Sequence, residues 1–325
     1  MGVEKIRVGV VGCGRVTEAR HLPALAETRG AEVVALADTD AARLARVASS
    51  FGVARRFTDY REMLRAVELD AVAVCVPPRL HAEVALDALD AGKHLFVEKP
   101  LALSLEECDL LMERARASAT VVALVGFNMR WHALVREARA LLERDGLGRV
   151  KLVRTVLTSG VRFGAEFPAW RARREEGGGA IMELGVHHFD LVRFLLGGEA
   201  REVFADWTED ETATVAVRME DGAQVVAAFC EGTVESHEIE IFGERGRLRV
   251  SCYRSDGLES FGAGDYPGSA RVRLRGLVRT ARALPRMLAR ARGGGEYVAT
   301  YAAEWRHFVA ASKGEDTVGA TLEDG

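Results

Sequence analysis

The chain lacks any apolar run long enough to cross a bilayer. Its longest purely apolar stretches, Ala71–Pro78 and Val121–Val125, fall far short of the roughly 20 residues a spanning helix needs. It also lacks a charge surplus: 44 Lys and Arg stand against 48 Asp and Glu, a net charge of -4. That excludes nucleic-acid affinity built on excess positive charge over the whole chain. Cysteine is sparse. Cys13, Cys75, Cys108, Cys230 and Cys252 are odd in number, widely spaced and free of any Cys-x-x-Cys pair, which argues against a disulfide framework and a zinc site alike. No metal is expected. Internal repeats and low-complexity tracts are missing, apart from one arginine-rich stretch. Met1–Arg7 enters a strand-like segment directly instead of opening a secretory signal. The expected setting is the cytoplasm, with no membrane span and no nucleic-acid partner.

What is present is the composition of an ordinary globular protein, 48% hydrophobic and 28% charged over 325 residues, a length that suggests two domains. The first part alternates strand and helix patterns: strands at Ile6–Val11, Glu32–Ala37, Ala71–Cys75, His94–Val97 and Val121–Val125. Helices are expected between them near Thr17–Glu27, Ala41–Phe51, Ala82–Ala91 and Leu105–Ala117. Such alternation builds βαβ units around a parallel sheet. After Phe127–Arg130 the rhythm changes to successive strand-like runs, Val150–Thr158, Thr214–Met219, Ala223–Cys230, His237–Phe242 and Arg247–Cys252. Asp221-Gly222 forms a hairpin turn between two of them, and one helix interrupts near Ala180–Leu196. The expected fold is therefore an α/β Rossmann domain with a parallel sheet over 1–127, followed by an α+β domain with an open, mainly antiparallel sheet over 128–325.

Gly12-Cys13-Gly14-Arg15-Val16-Thr17 stands directly after the first strand. This nearly matches the G-x-G-x-x-G/A fingerprint, with Thr17 in the third position; the first glycine makes a tight turn and the second lets the backbone approach a pyrophosphate. The N–H groups and dipole of the following helix would face that negative charge. Thr17 is expected to widen helix–strand packing slightly. The plainer alternative is a glycine turn with no ligand. Asp38, at the end of the second strand, stands where a carboxylate meets the adenosine ribose and repels a 2′-phosphate. It favours NAD, with NADP possible as a second choice. Asp40 is better explained as a helix N-cap.

Further motifs follow in order: His21-x-Pro23, Val76-Pro77-Pro78 with His81, Ala91-Gly92-Lys93-His94, Glu98-Lys99-Pro100, and Val125-Gly126-Phe127-Asn128 with Arg130. Trp170 and the run Gly177–Asp190, which contains Glu183, His187, His188 and Asp190, complete the set. Together they resemble the Gfo/Idh/MocA family of glucose–fructose oxidoreductases, inositol dehydrogenases and their relatives, over nearly the whole chain. The resemblance implies hydride transfer between a nicotinamide and a carbon bearing a hydroxyl, usually on a sugar, cyclitol or related polyol. It implies an open sheet that lines the substrate site, and a homo-oligomer, dimer or tetramer. It implies that Lys99 contacts the substrate hydroxyl and the nicotinamide ribose, and that His187 is the acid/base. The chemistry agrees, since a histidine exchanges protons near neutral pH and an ammonium steadies a developing alkoxide.

The expected cofactor-binding set is Gly12, Gly14, Arg15, Val16, Asp38, Pro77, His81, Glu98 and Lys99. The expected catalytic set is Lys99, His187 and Glu183, with Arg130, Trp170, Arg171 and Asp190 toward the substrate. Glu183, His187 and Asp190, at i, i+4 and i+7, would share one helical stripe, with Glu183 orienting His187. His188 is expected to be structural, Asp190 could instead pair with Arg193, and His81 could either line the cofactor or cap the following helix.

Two departures stand against the family pattern. Glu183 occupies a position that is commonly aspartate, and one methylene exceeds catalytic tolerance unless the helix shifts. The family's last helix, which packs on the Rossmann domain, is expected to be absent, leaving an apolar patch exposed. Arg271–Arg292 carries eight arginines and no acidic residue. It reads as a solvated basic helix bent at Pro285, as an anion site together with Arg162, Arg171, Arg173 and Arg174, or as a membrane-surface helix. A sugar or cyclitol substrate, possibly anionic, is the expected partner. A glycosidase working through transient oxidation and a non-catalytic dinucleotide-binding protein are the alternatives.

Overall fold

The computed structural model describes residues 5–118, 120–160, 168–208, 212–292, 295–315 and 319–325. The chain divides into two compact units, and not at a single cut. The first comprises Met1–Asn128, Glu175–Gly177 and Tyr301–Gly325; the second comprises Met129–Arg174 and Gly178–Thr300.

The first unit is built on six strands: β1 (Ile6–Val11), β2 (Ala31–Ala37), β3 (Arg55–Phe57), β4 (Ala71–Val74), β5 (His94–Val97) and β6 (Ala123–Val125). They lie in the order β3-β2-β1-β4-β5-β6, every pair parallel. Parallel strands need crossovers, and the helices α1 (Leu22–Glu27), α2 (Ala41–Phe51), α3 (Tyr60–Ala66), α4 (His81–Asp90) and α5 (Leu105–Arg116) supply them. All four residues of β4 are buried, as a strand covered on both faces must be. Asp40 caps α2 by accepting from the N–H groups of Ala42 and Arg43, as expected. Strand order reverses between β1 and β4, and ligands of open α/β sheets bind outside the strand ends at such a switch point.

The second unit holds α6 (Ala133–Glu143), β7 (Val150–Ser159), α7 (Val186–Leu196), β8 (Ala200–Thr208), β9 (Thr212–Met219), β10 (Gln224–Glu231), β11 (Ser236–Gly243), β12 (Gly246–Ser251) and β13 (Leu258–Gly262). The helix α8 (Ala270–Arg292) follows. The strands form one sheet in the order β13-β12-β11-β7-β10-β9-β8, in which only β7 and β10 run parallel. β9 shows why one face is core: Ala213, Val215, Val217 and Met219 are buried and the residues between them exposed. Leu191, Val192 and Leu195 of α7 and Leu134, Val135 and Ala138 of α6 join that core.

The expected loss of a terminal helix is not what the chain does. The helix α9 (Gly295–Ser312) carries Tyr301, Trp305 and Phe308 into the first unit, where all three are buried. Trp305 stacks on Phe96 of β5 with centroids 4.4 Å apart, and Phe308 meets the same ring edge-on at 5.8 Å. The chain then returns along β6, where Val125 N–H donates to Ala320 at 2.9 Å. This helix stands directly behind the arginine-rich stretch and not at the very end of the chain.

Candidate active site

The glycine loop is held open by its neighbours in the first unit. Gly12 has φ +97°, and a Cβ there would lie 2.3 Å from the carbonyl oxygen of Cys75, so only glycine fits. At Gly14 a Cβ would meet nothing within 4 Å, which leaves the backbone open to a bulky anion. Arg15 and Val16 follow at the helix start, Arg15 exposed and Val16 half-buried. Thr17, in the place of the third glycine, is fully buried and donates its hydroxyl to the Gly12 carbonyl at 2.8 Å. It therefore ties the loop back, and the next turn, Thr17–His21, is a wide π turn that gives the side chain room. These features fit a dinucleotide pyrophosphate.

Asp38 is buried at the end of β2 and clamps the loop from the other side. Oδ2 accepts from the Cys13 N–H at 2.7 Å and Oδ1 from the Asp40 N–H at 2.8 Å. Arg43 of α2 adds a fork, Nε at 3.1 Å and Nη2 at 2.9 Å. Burial opposes the charge of Asp38, and the Arg43 hydrogen bond with the two N–H groups overcomes it, holding the carboxyl below the usual range.

Glu98 and Lys99 follow β5. Glu98 is buried and accepts from His21 Nε2 at 2.7 Å, while its other oxygen accepts from the Lys99 N–H at 3.1 Å. Trp305 Nε1–H donates to His21 Nδ1 at 3.1 Å. An indole N–H can only donate, so His21 carries its proton on Nε2 and presents it to Glu98. Burial works against the Glu98 charge, and the His21 hydrogen bond with the nearby Lys99 outweighs it, keeping the carboxyl below its ordinary value. Lys99 is half-buried, as is Pro77. His81 does not cap α4, whose N-cap is Leu80 with no side-chain cap bond. It braces two loops, Nδ1 lying 2.6 Å from the Pro100 carbonyl and Nε2 2.9 Å from that of Val76.

In the second unit the segment Ile181–Gly185 is a π turn that leads into α7. The uniform 3.6-residue period behind the Glu183–His187–Asp190 stripe therefore does not hold, because a π turn takes more residues. Glu183 accepts from Arg171 Nη2 at 2.5 Å, and the same nitrogen reaches Glu231 at the end of β10 at 3.2 Å. Arg171 thus stands between two buried carboxylates, with the half-buried Trp170 beside it in sequence. His187 is half-buried in the first turn of α7.

Asp190 pairs with a side chain of another element. It is buried against Arg130, whose Nε lies 2.9 and 3.0 Å from its two oxygens, while Arg193 binds Glu199. His188 is fully buried, its Nδ1 on the Thr155 hydroxyl. Arg162 lies outside the described residues; Arg173 is exposed, and Arg174 lies over the Trp207 ring at 4.4 Å.

Three side chains of these networks are not singled out by sequence. Trp305 and Glu231 carry no local motif, since each meets its partner only through the fold, and Arg43 follows Asp38 by five residues with no motif to mark it. His21 belongs to the His-x-Pro motif directly behind the glycine loop, which carries the resemblance without giving this histidine a site role.

A six-stranded parallel sheet in this order, with a glycine loop at β1 and a buried carboxylate at the end of β2, is the arrangement of a dinucleotide-binding domain. Family models match in succession: an oxidoreductase family with NAD-binding Rossmann fold over residues 6–127, and a GFO/IDH/MocA C-terminal domain over 135–249. Myo-inositol 2-dehydrogenase of Thermotoga maritima is 30% identical over 256 residues, covering 75% of this chain and 74% of that relative. The dTDP-3,4-didehydro-2,6-dideoxy-alpha-D-glucose 3-reductase of Saccharopolyspora spinosa is 32% identical over 265 residues, 75% of this chain and 74% of its own. The crystal structure of the WlbA dehydrogenase from Bordetella pertussis, in complex with NADH and UDP-GlcNAcA, shares the fold with TM-score 0.82. That match covers 100% of this chain and 92% of the other at 23% identity. The chain belongs to the Gfo/Idh/MocA family of NAD-binding oxidoreductases.

Proposed function

We propose that this oxidoreductase moves a hydride between NAD and a secondary alcohol or ketone carbon of a cyclitol, a sugar or a nucleotide-linked sugar. The observation that carries the cofactor assignment is the clamp of Asp38 on the Cys13 N–H, which joins the ribose-side carboxylate to the open glycine loop. The substrate class rests on the relatives named above. Arg43 offsets part of the Asp38 charge, so the reading is NAD preferred, with NADP accepted more weakly.

Gly12, Gly14 and the N–H groups of Arg15 and Val16 would hold the pyrophosphate, and Asp38 the adenosine ribose. Pro77, His81 and Glu98 would shape the nicotinamide end. The nicotinamide, when bound, supplies the hydride acceptor. Lys99 holds the substrate hydroxyl and lowers its pKa, with Glu98 and His21 fixing the backbone from which it projects. His187 takes the hydroxyl proton during oxidation and returns it during reduction. Arg171, set between Glu183 and Glu231, is a positioning group for the substrate, and Trp170 offers it an apolar face. Glu183 acts through Arg171. Arg130 and Asp190, bound to each other, hold α7 in place instead of binding substrate directly.

The test is nicotinamide absorbance with NAD and with NADP against inositols, free sugars and nucleotide sugars. Parent turnover is expected with NAD, falling at least about 100-fold in Lys99→Ala and in His187→Ala. Full turnover in both variants would sink the assignment.

A further inference from the structure

The helix α8 is turned inside out for a helix of a globular protein. Among the described residues its least exposed positions are Val272, Gly276, Arg279 and Ala283, whose spacing puts them on one stripe. That side is fastened to the second unit. Arg279 donates to Glu259 at 2.6 Å, the Thr280 hydroxyl to Asp256 at 2.6 Å, and Arg275 pairs with Asp265 at 2.5 Å. At about 100° per residue, Leu274, Leu277, Val278, Leu284 and Leu288 fall on the opposite side. They are 62%, 70%, 42%, 52% and 61% exposed. Amphipathic helices ordinarily bury such a stripe, and a row of exposed large aliphatics marks an interaction surface.

The charges along the helix say what covers it. Arg271 and Arg282 border the stripe on one side and Arg273 on the other, all three exposed. The helix holds eight arginines and no acidic residue, in a chain whose net charge is -4. A second copy of the same helix would bring like charges together. A nucleic acid would match the arginines and leave the leucines in water. An anionic bilayer matches both, taking the leucines at the headgroup–acyl boundary while the arginines reach the phosphates. At 23 residues, or about 34 Å, the helix is long enough to lie along such a surface. It is not apolar enough to cross one.

We propose that α8 docks this enzyme peripherally on an anionic lipid surface. The docking face includes none of the residues assigned to hydride transfer. The experiment is flotation of the purified chain with phosphatidylcholine vesicles and with vesicles that also contain phosphatidylglycerol. The parent is expected to float only with the anionic vesicles, and to lose that association in high salt. Leu277→Glu with Leu284→Glu, both exposed and so without effect on the melting temperature, is expected to reduce the floated fraction at least about tenfold. Arg271→Glu with Arg282→Glu acts in the same direction. A parent that stays at the bottom of the gradient with anionic vesicles overturns the proposal, as does equal flotation with uncharged ones. So does a leucine double variant that floats like the parent. Failure to float, combined with a fall in native mass in the leucine variant, would assign the stripe to a second copy and overturn it equally.

Discussion

At the scale of single residues, the second unit contains two histidines that the fold keeps neutral. The Thr155 hydroxyl donates to the Glu238 carbonyl at 3.2 Å. It therefore accepts from His188 Nδ1, which leaves the other ring nitrogen bare in the core. Among the described residues, Nε2 of His188 and Nε2 of His237 have no hydrogen-bond partner, and their rings lie 4.8 Å apart. Burial, then the nearby His132, pushes His237 down to about 3; burial, with His237 and His187, pushes His188 well below its ordinary value. Both folded pKa values are depressed for a base, so the unfolded chain takes up protons first as the pH falls. Stability is full above about pH 6.5 and declines below it. For His237 alone the loss from pH 7.5 to pH 5 is about 2 kcal/mol. Urea unfolding of the parent and of His237→Leu at the two pH values checks this. The variant is expected to lose less on acidification by about that amount, and equal losses would refute the account.

At the scale of elements, the glycine loop separates two functions that a shared fingerprint conceals. Gly12→Ala forces a Cβ to 2.3 Å from the Cys75 oxygen at φ +97°, so the turn must open. A loss of more than about 2 kcal/mol in stability is expected. Gly14→Ala meets open space. It is expected to melt like the parent while NAD affinity, followed by quenching of the buried Trp305 or by calorimetry, falls at least about tenfold. Normal NAD affinity in Gly14→Ala would show that the loop is only a turn.

The same scale shows what could be read from sequence. Buried strands such as Ala71–Val74 announce themselves as apolar runs, and the hairpin at Asp221-Gly222 by its turn residues. β3 is only three residues long and mostly exposed, and β8 is exposed along nearly all its length, so neither shows a period. α9 was hidden because its pattern follows directly on the arginines. Asp38 and the glycines were legible because their role is local to one turn. Glu231 and Trp305 meet Arg171 and His21 over long stretches of chain, and no spacing rule records that; Arg43 lies only five residues after Asp38, on the first turn of α2. The π turn at Ile181–Gly185 is equally invisible, since nothing in its residue pattern marks a turn wider than the helical period.

At the scale of the whole molecule, two exposed apolar surfaces differ in what surrounds them. On the face of the large sheet opposite the core, Phe204 and Val226 flank Ala216 across β8, β9 and β10, and they are 70% and 51% exposed. Acidic and basic side chains alternate around them, as in the pair of Arg218 with Glu202 and that of Arg154 with Glu240. A face with both signs of charge is complementary to itself under two-fold symmetry, whereas the all-arginine border of α8 is not. By charge, the sheet face suits a second copy of the chain and the helix stripe suits lipid. Phe204→Glu with Val226→Glu is expected to bring the native mass, by light scattering, down to that of one chain while flotation with anionic vesicles persists. Leu277→Glu with Leu284→Glu should do the reverse, abolishing flotation and leaving the native mass unchanged. If either pair of substitutions removed both properties, the two surfaces would be one interface, and the separation drawn from their charges would fail.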